Sequence, residues 1–211
     1  MNLLIYLSSY VIIILSLLGY GLFFQKILRN SIDIEFEYNF LGSLFFLTFL
    51  SYLTHFFFKH GFVHNTIIII IGIISFIFHL FKNENLLKKY LKYIFFIFGI
   101  LMITLLAAKT HDDFPYYHFP YISIISEFSH PVGLGQLNNG FRSPSSIFFI
   151  SSLFYLPFVD IYLFHITPAL IMGFVNLILI KKIFNQNIFN QEKMINFFSL
   201  SSLIFINVFF Y

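Results

Sequence analysis

LLIYLSSYVIIILSLLGYGLFF, residues 3–24, runs for 22 residues without a charge. A bilayer core of about 30 Å is crossed by about 20 apolar residues in a helix, so this stretch reads as a transmembrane helix. Five more runs lie beyond it. Tyr38–Phe58 is 21 residues long and is interrupted only by neutral polar side chains and His55. Phe62–Phe81 is 20 and has Ile67–Ile71 at its centre. Tyr93–Ala108 is 16, short for a span, but Lys92 and Lys109 can snorkel from its ends. Ile161–Ile180 is 20, with His165 and Pro168 in its first half, and Met194–Tyr211 is 18. None of these runs alternates strictly as a membrane barrel strand would, which leaves helices. The expected fold is all-α, a polytopic transmembrane helical bundle of about six spans. Residues 1–24 do not read as a cleaved signal peptide. No Lys or Arg precedes the apolar core, no A-x-A site follows it, and it exceeds the usual length of about 7–15 residues.

Composition supports that class and excludes others. Of 211 residues 59% are apolar and 10% charged, against about 25% charged in soluble proteins, and mean hydropathy is +0.87. The 12 Lys/Arg and 9 Asp/Glu cannot cover the surface of a soluble domain of this size. The absence of cysteine excludes a disulfide-stapled secreted domain, and the chain is too apolar for disorder. With 34 Phe and no Trp, the aromatic content reads as compositional bias. The net charge of +3 has no clustered basic face, so it fits membrane topology and not nucleic-acid binding.

Lys and Arg collect in cytoplasmic loops. With the N-terminus outside, nine of the twelve fall inside: Lys26, Arg29, Lys82, Lys88, Lys89, Lys92, Lys181, Lys182 and Lys193. Lys59, Lys109 and Arg142 then lie outside. Ser146–Phe158, flanked by Pro144 and Pro157, has 13 residues, too few to cross. Were it to cross, Lys181, Lys182 and Lys193 would move outside and the split would be six against six. It is expected as a re-entrant or interfacial helix, and residues 109–145 as an external loop. Asn83–Lys92 is expected as an amphipathic cytoplasmic surface helix.

Polar functional side chains concentrate in that loop, KTHDDFPYYHFPYISIISEFSHPVGLGQLNNGFRSPSS, residues 109–146. It holds three of nine acids, three of eight histidines and four of six prolines, so candidate chemistry is sought here. A carboxylate of Asp112 or Asp113 at the water–lipid boundary can be desolvated and accept a proton from an acceptor hydroxyl. The pair can instead hold a divalent cation, with His111, His118 or His130 adding nitrogen ligands, or simply mark a solvated helix end. Tyr116, Tyr117 and Tyr121 suit an interfacial aromatic belt and can also stack on a sugar ring. Arg142, the one external arginine, is shaped to hold a phosphate, or serves as a topology charge or ion-pair partner. Gly133-Leu134-Gly135 is not a nucleotide fingerprint, since no βαβ unit is possible. His55, His64, His79 and His165 are expected as neutral histidines bonded to a neighbouring helix. Asp160 is expected at the outer interface, where it can N-cap the helix that follows.

The stretches HDDFPYYHFP (111–120) and GLGQLNNGFRSPSSIFFISSLFYLP (133–157) are similar to a family of uncharacterised bacterial polytopic membrane proteins. They also resemble the first external loop of the GT-C superfamily of membrane glycosyltransferases. There a span is followed on the outer side by an acidic pair, then short juxtamembrane helices, then a Pro-containing apolar segment and the next span. The resemblance covers about residues 93–182. It implies that Tyr93–Ala108 is the leading span, Asp112 and Asp113 the acidic pair, and Ser146–Phe158 the juxtamembrane helix. Three organisational parts follow: residues 1–92, three spans with a basic cytoplasmic loop; residues 93–182, the GT-C-like region; and residues 183–211, the start of a further span. Three spans before the leading one depart from the superfamily's usual start. Those enzymes usually carry more spans, so a chain that stops inside a run at Tyr211 is expected to be a fragment of a larger membrane protein.

The resemblance implies a protein of the bacterial cytoplasmic membrane, with a polyprenyl-phosphate-linked sugar as donor and an acceptor on the outer face. Asp112 or Asp113 would be the general base, and Arg142 with His118 or His130 would stabilise the leaving phosphate. Tyr116 and Tyr117 would contact the sugar, and a divalent metal at Asp112, Asp113 and His111 is compatible with it. The expected partners are the lipid bilayer and the lipid-linked donor. The alternatives are a transporter or flippase, which Pro157, Pro168 and the non-spanning segment would suit, and a non-catalytic membrane subunit. Acids near mid-membrane would be expected of a transporter, and none is there.

Overall fold

The computed structural model describes residues 2–28, 38–82, 84–107, 112–143, 145–185 and 192–209. Their regular structure is helical: α1 (Leu3–Leu28), α2 (Tyr38–His55), α3 (Phe62–Lys82), α4 (Glu84–Ala107), α5 (Phe119–Glu127), α6 (Leu134–Leu137), α7 (Ser146–Ser152), α8 (Thr167–Asn185) and α9 (Glu192–Phe209). A π turn over Phe114–His118 leads into α5, and an isolated bridge joins Leu156 to Asp160. Three helical stretches are long and apolar enough to cross a membrane: Leu3–Leu28, Phe62–Phe81 and Ile161–Ile183. The other expected spans appear as shorter or more polar helices. Asn39, Ser43, Thr48, Ser51, Thr54 and His55 all fall within α2, and the apolar parts of α4 and α9 are Leu91–Ile103 and Ile195–Val208.

The chain divides into two compact units, each discontinuous in sequence: residues 1–82 with 109–168, and residues 83–108 with 169–211. In the first, α1 packs against α3 where two glycines meet. A β-carbon on Gly19 would strike the carbonyl oxygen of Gly72 and lie 2.7 Å from the Phe76 nitrogen. One on Gly72 would strike Ser16 Oγ and lie 2.8 Å from the Tyr20 ring. This close approach lets side chains on one helix reach backbone on the other. Tyr20 Oη donates to Ile68 O at 2.7 Å, and Ser75 Oγ donates to Gly19 O at 2.9 Å. Phe46 of α2 packs its ring against Tyr20, Phe23 and Phe24 of α1.

The rest of the first unit is an aromatic cluster built from the segment read as an external loop. Pro115 and Pro120 sit in the first turns of the π turn and of α5, where a missing N–H removes no helical bond. Tyr121, Ile122, Ile125, Phe141, Phe148, Phe149 and Phe164 are buried together. At seven residues α7 is about 10 Å long, far short of a bilayer.

In the second unit the amphipathic stretch after Asn83 and the apolar run from Tyr93 form one continuous helix, α4. This corrects the expectation of a separate surface helix; no Gly or Pro interrupts Glu84–Phe98, so nothing ends the helix there. Gly173 of α8 lets the Phe98 ring approach to where a β-carbon would lie 2.5 Å from its Cζ, and Phe98 meets Phe174 edge-on at 5.1 Å. Asn176 of α8 and Asn207 of α9 exchange two amide hydrogen bonds, at 2.9 and 3.0 Å.

The glycine crossing gives a direct test. Gly72→Leu is expected to destabilise the detergent-solubilised protein by about 1–3 kcal/mol or more through overpacking. Gly99→Ala, where a β-carbon meets nothing within 4 Å, is expected to be neutral or stabilising by up to about 1 kcal/mol. Thermal melts check both; equal melting of Gly72→Leu and wild type would contradict the crossing.

Candidate functional site

The site begins with a polar latch inside the first unit. His60 and Asn65 are 0% exposed. The Asn65 amide nitrogen lies 2.7, 2.8 and 2.9 Å from the carbonyls of His60, Ser152 and Tyr155, and its two hydrogens serve all three. Its Oδ1 accepts from His64 Nδ1 at 3.0 Å. His60 Nε2 is 3.2 Å from Ser51 O, and its Nδ1 is 2.6 Å from Ser152 Oγ. A carbonyl only accepts, so the network assigns a proton to Nε2; the single Ser152 hydroxyl hydrogen then lies between His60 Nδ1 and the Phe149 carbonyl, 2.8 Å away. The Ser51 hydroxyl donates to Phe149 O at 2.9 Å, and the His60 N–H donates to Ile125 O at 3.2 Å. Burial, then the neighbouring His55 and His64, hold the His60 imidazole down at about 3, so it is neutral at ordinary pH.

Above the latch lies a cavity of about 540 Å³. Tyr52 and His55 of α2, with Phe56 just beyond it, form one wall, Tyr121 and Ile125 of α5 another, and residues 130–131 and 133–136 with Phe141 and Arg142 the rim. Tyr52 stacks on Phe149 at 4.0 Å, and His130 stacks on Phe56 at 4.6 Å. His130 is held at φ 44°, a conformation costly for a residue other than glycine. Burial, then the nearby Tyr52 and Tyr117, push Tyr121 up to about 12, so its hydroxyl keeps its proton. Among the described residues no carboxylate pairs with Arg142, whose side chain is exposed at the rim. Gly135 makes room for it; a β-carbon there would lie 2.8 Å from Arg142 Cγ.

Of the residues singled out in sequence, His55, Tyr121, His130 and Arg142 border this cavity, whereas Asp112, Asp113, Tyr116, Tyr117 and His118 do not. Asp112 and Asp113 are exposed in the turn before the π turn. They have no third ligating side chain with them among the described residues, and His111 lies outside those residues. Tyr116 is 79% exposed. Tyr117 stacks on Phe141 at 5.7 Å, and His118 packs against Phe148 at 5.0 Å, so both belong to the aromatic cluster.

Several histidine expectations are corrected. His55 is not bonded to a neighbouring helix: neither ring nitrogen has a partner, because the adjacent latch atoms are already paired by His60. His79 bonds Ser75 O of its own helix at 2.8 Å, and His64 bonds the next residue. His165 does reach a different helix, with Nε2 3.5 Å from Tyr6 Oη. Asp160 stands at the N-cap position of the short 3-10 turn Ile161–Leu163 but makes no capping bond, its backbone being at φ 50°. Its carboxylate instead acts on the Tyr155 hydroxyl, which burial and then that charge push up. Sequence reasoning passed over His60 and Asn65; the available signal was polar residues, Ser51 and His55, at i and i+4 on α2, facing a polar start of α3.

The chain belongs to the family described as domain of unknown function (DUF8201), whose profile matches residues 3–211. No curated protein and no solved structure matches it.

The latch predicts a pH dependence. Above about 6.5, the ordinary histidine value, His60 is neutral whether folded or unfolded, and its contribution is complete. Below that the unfolded chain takes up a proton that the folded one refuses until about 3, so stability is lost as pH falls through that window. Melting temperatures between pH 7.5 and 4.5 are expected to fall for wild type. His60→Gln should start lower at pH 7.5 but fall less steeply, and parallel slopes would contradict this role.

Proposed function

We propose that this DUF8201 protein is an integral membrane glycosyltransferase-like protein that takes a sugar from a polyprenyl-phosphate donor on the outer face. The observation that carries the reading is Arg142, a cation without a carboxylate partner among the described residues, on the rim of a cavity shared with His130 and walled by aromatic rings. A guanidinium and an imidazole at the mouth suit a phosphate, and aromatic walls suit an isoprenoid tail or a sugar face. The transfer step itself rests on the GT-C resemblance, a weaker warrant than geometry.

In this reading the bond between the sugar's anomeric carbon and the phosphate oxygen breaks, leaving its electron pair on the phosphate, where Arg142 and His130 offset the charge. The acceptor oxygen bonds the anomeric carbon and gives its proton to Asp112 or Asp113. The acids lie outside the cavity, but Asp113 precedes the π turn that leads into α5, whose Tyr121 lines the cavity. Asp113 and Tyr121 are eight positions apart, a reach of about 12 Å if helical, within the length of a phosphate-linked sugar with its acceptor. The distribution of Lys and Arg favours an N-terminus outside, residues 109–145 outside and about six spans, in a bacterial cytoplasmic membrane.

One observation favours transport as a second reading. The backbone between α7 and α8 is broken, with the exposed Phe158 at φ 71° and the exposed Asp160 at φ 50° beside the fully buried Leu153, Phe154 and Val159. Broken apolar segments line substrate paths in transporters.

The test is transfer of label from a polyprenyl-phosphate-linked radioactive sugar to surface material in membranes containing the protein. Asp112→Asn with Asp113→Asn is expected to lower transfer by about 10²–10⁴ without changing the melting temperature. Transfer at the wild-type rate in that variant, or none above vector control in wild type, would contradict the reading.

A further inference from the structure

We infer that His55 is a ligand-binding residue, its imidazole hydrogen-bonding a hydroxyl of the phosphate ester whose anion Arg142 holds. This rests on the phosphate reading above and adds to it a residue from α2, so that the N-terminal helices and the 112–143 segment build the pocket together.

His55 is 4% exposed, and both ring nitrogens are closed off from solvent without a hydrogen-bond partner. The Phe58 backbone lies near the ring but makes no bond of ordinary geometry. A buried polar group left unpaired destabilises a protein. His60, 4.8 Å away between ring centroids, has both nitrogens engaged in the latch. His55 instead borders the cavity, and a turn of the ring about χ2 presents a nitrogen to it.

The chemistry narrows the ligand. A neutral imidazole offers one donor and one acceptor, and a hydroxyl answers both, whereas a phosphate dianion only accepts. Facing the ring are His60, His64, His130 and the aromatic Phe149. The matching ligand carries its charge at the rim, on Arg142, and a hydroxyl at the floor. Lipid-linked and soluble sugar phosphates share that chemistry.

The experiment uses the full chain in a sugar-free detergent, with methyl phosphate, glucose 1-phosphate and farnesyl phosphate as probes. His55→Phe keeps the ring packing and removes the unpaired nitrogens, so its melting temperature should equal or exceed that of wild type. Its Kd for glucose 1-phosphate should rise about tenfold, the worth of one net hydrogen bond, with methyl phosphate binding unchanged. His55→Gln should restore much of the affinity. Unchanged glucose 1-phosphate binding in His55→Phe would overturn the inference, as would a lowered melting temperature with no rescue by His55→Gln. Glucose 1-phosphate binding that Arg142→Gln abolishes but His55→Phe leaves at the wild-type Kd would refute the inference alone. Absence of binding of every probe to wild type would refute it together with the phosphate reading. Farnesyl phosphate binding more tightly than methyl phosphate supports a membrane ligand; equal binding would overturn the lipid-linked source and leave the role of His55 supported.

Discussion

The Asn65 side chain is the point on which the first unit depends. It lies near the start of an apolar helix and is fully buried, yet it bonds three backbone carbonyls, one of which, Ser152 O, also accepts from the Tyr155 N–H at 3.2 Å. One belongs to the loop before α3, one to the last residue of α7, and one to the turn after it. In apolar surroundings each such carbonyl left unpaired costs about 1–3 kcal/mol. A single amide therefore anchors the end of α7 and the turn at Tyr155 to the start of α3. His60 completes the arrangement by joining Ser51 of α2 to Ser152 of α7. With these elements held, α5 and the Phe141–Arg142 turn close over α2, and the cavity is what remains between them.

The two units use different means to the same end. The α1–α3 crossing relies on absent side chains: Gly19 and Gly72 bring backbones together, and Tyr20 and Ser75 then bond across. In the second unit a reciprocal Asn176–Asn207 amide pair joins α8 to α9, and Gly173 admits an aromatic ring from α4. Both solutions suit surroundings where apolar burial distinguishes poorly between helix and lipid, so small residues and paired polar groups set the contacts.

Much of this was legible in the chain. Uncharged runs marked α1, α3 and α8, and the shortness of the segment after Pro144 agrees with a seven-residue α7. The concentration of aromatics and prolines in residues 109–146 pointed to an ordered segment, and His130 and Arg142 were singled out there. The latch was not legible. Asn65 and His60 meet partners 87–92 residues away, and nothing local distinguishes a polar residue that will be paired from one that will be solvated. Reading His55 as satisfied failed for the same reason, since whether a buried nitrogen is paired depends on which neighbour claims the acceptor first. Asp160 followed its propensity to the N-cap position, but the backbone geometry imposed by the Leu156–Asp160 bridge turned its carboxylate to Tyr155.

The central claim, that the Asn65 amide docks α7 and the turn after it onto α3, is tested most directly by hydrogen–deuterium exchange on Asn65→Leu. The account predicts exchange in residues 119–127 and 146–152 faster by about tenfold or more, from loss of at least one buried hydrogen bond, with α4 and α9 unaffected. Wild-type exchange rates in residues 146–152 of that variant would contradict it.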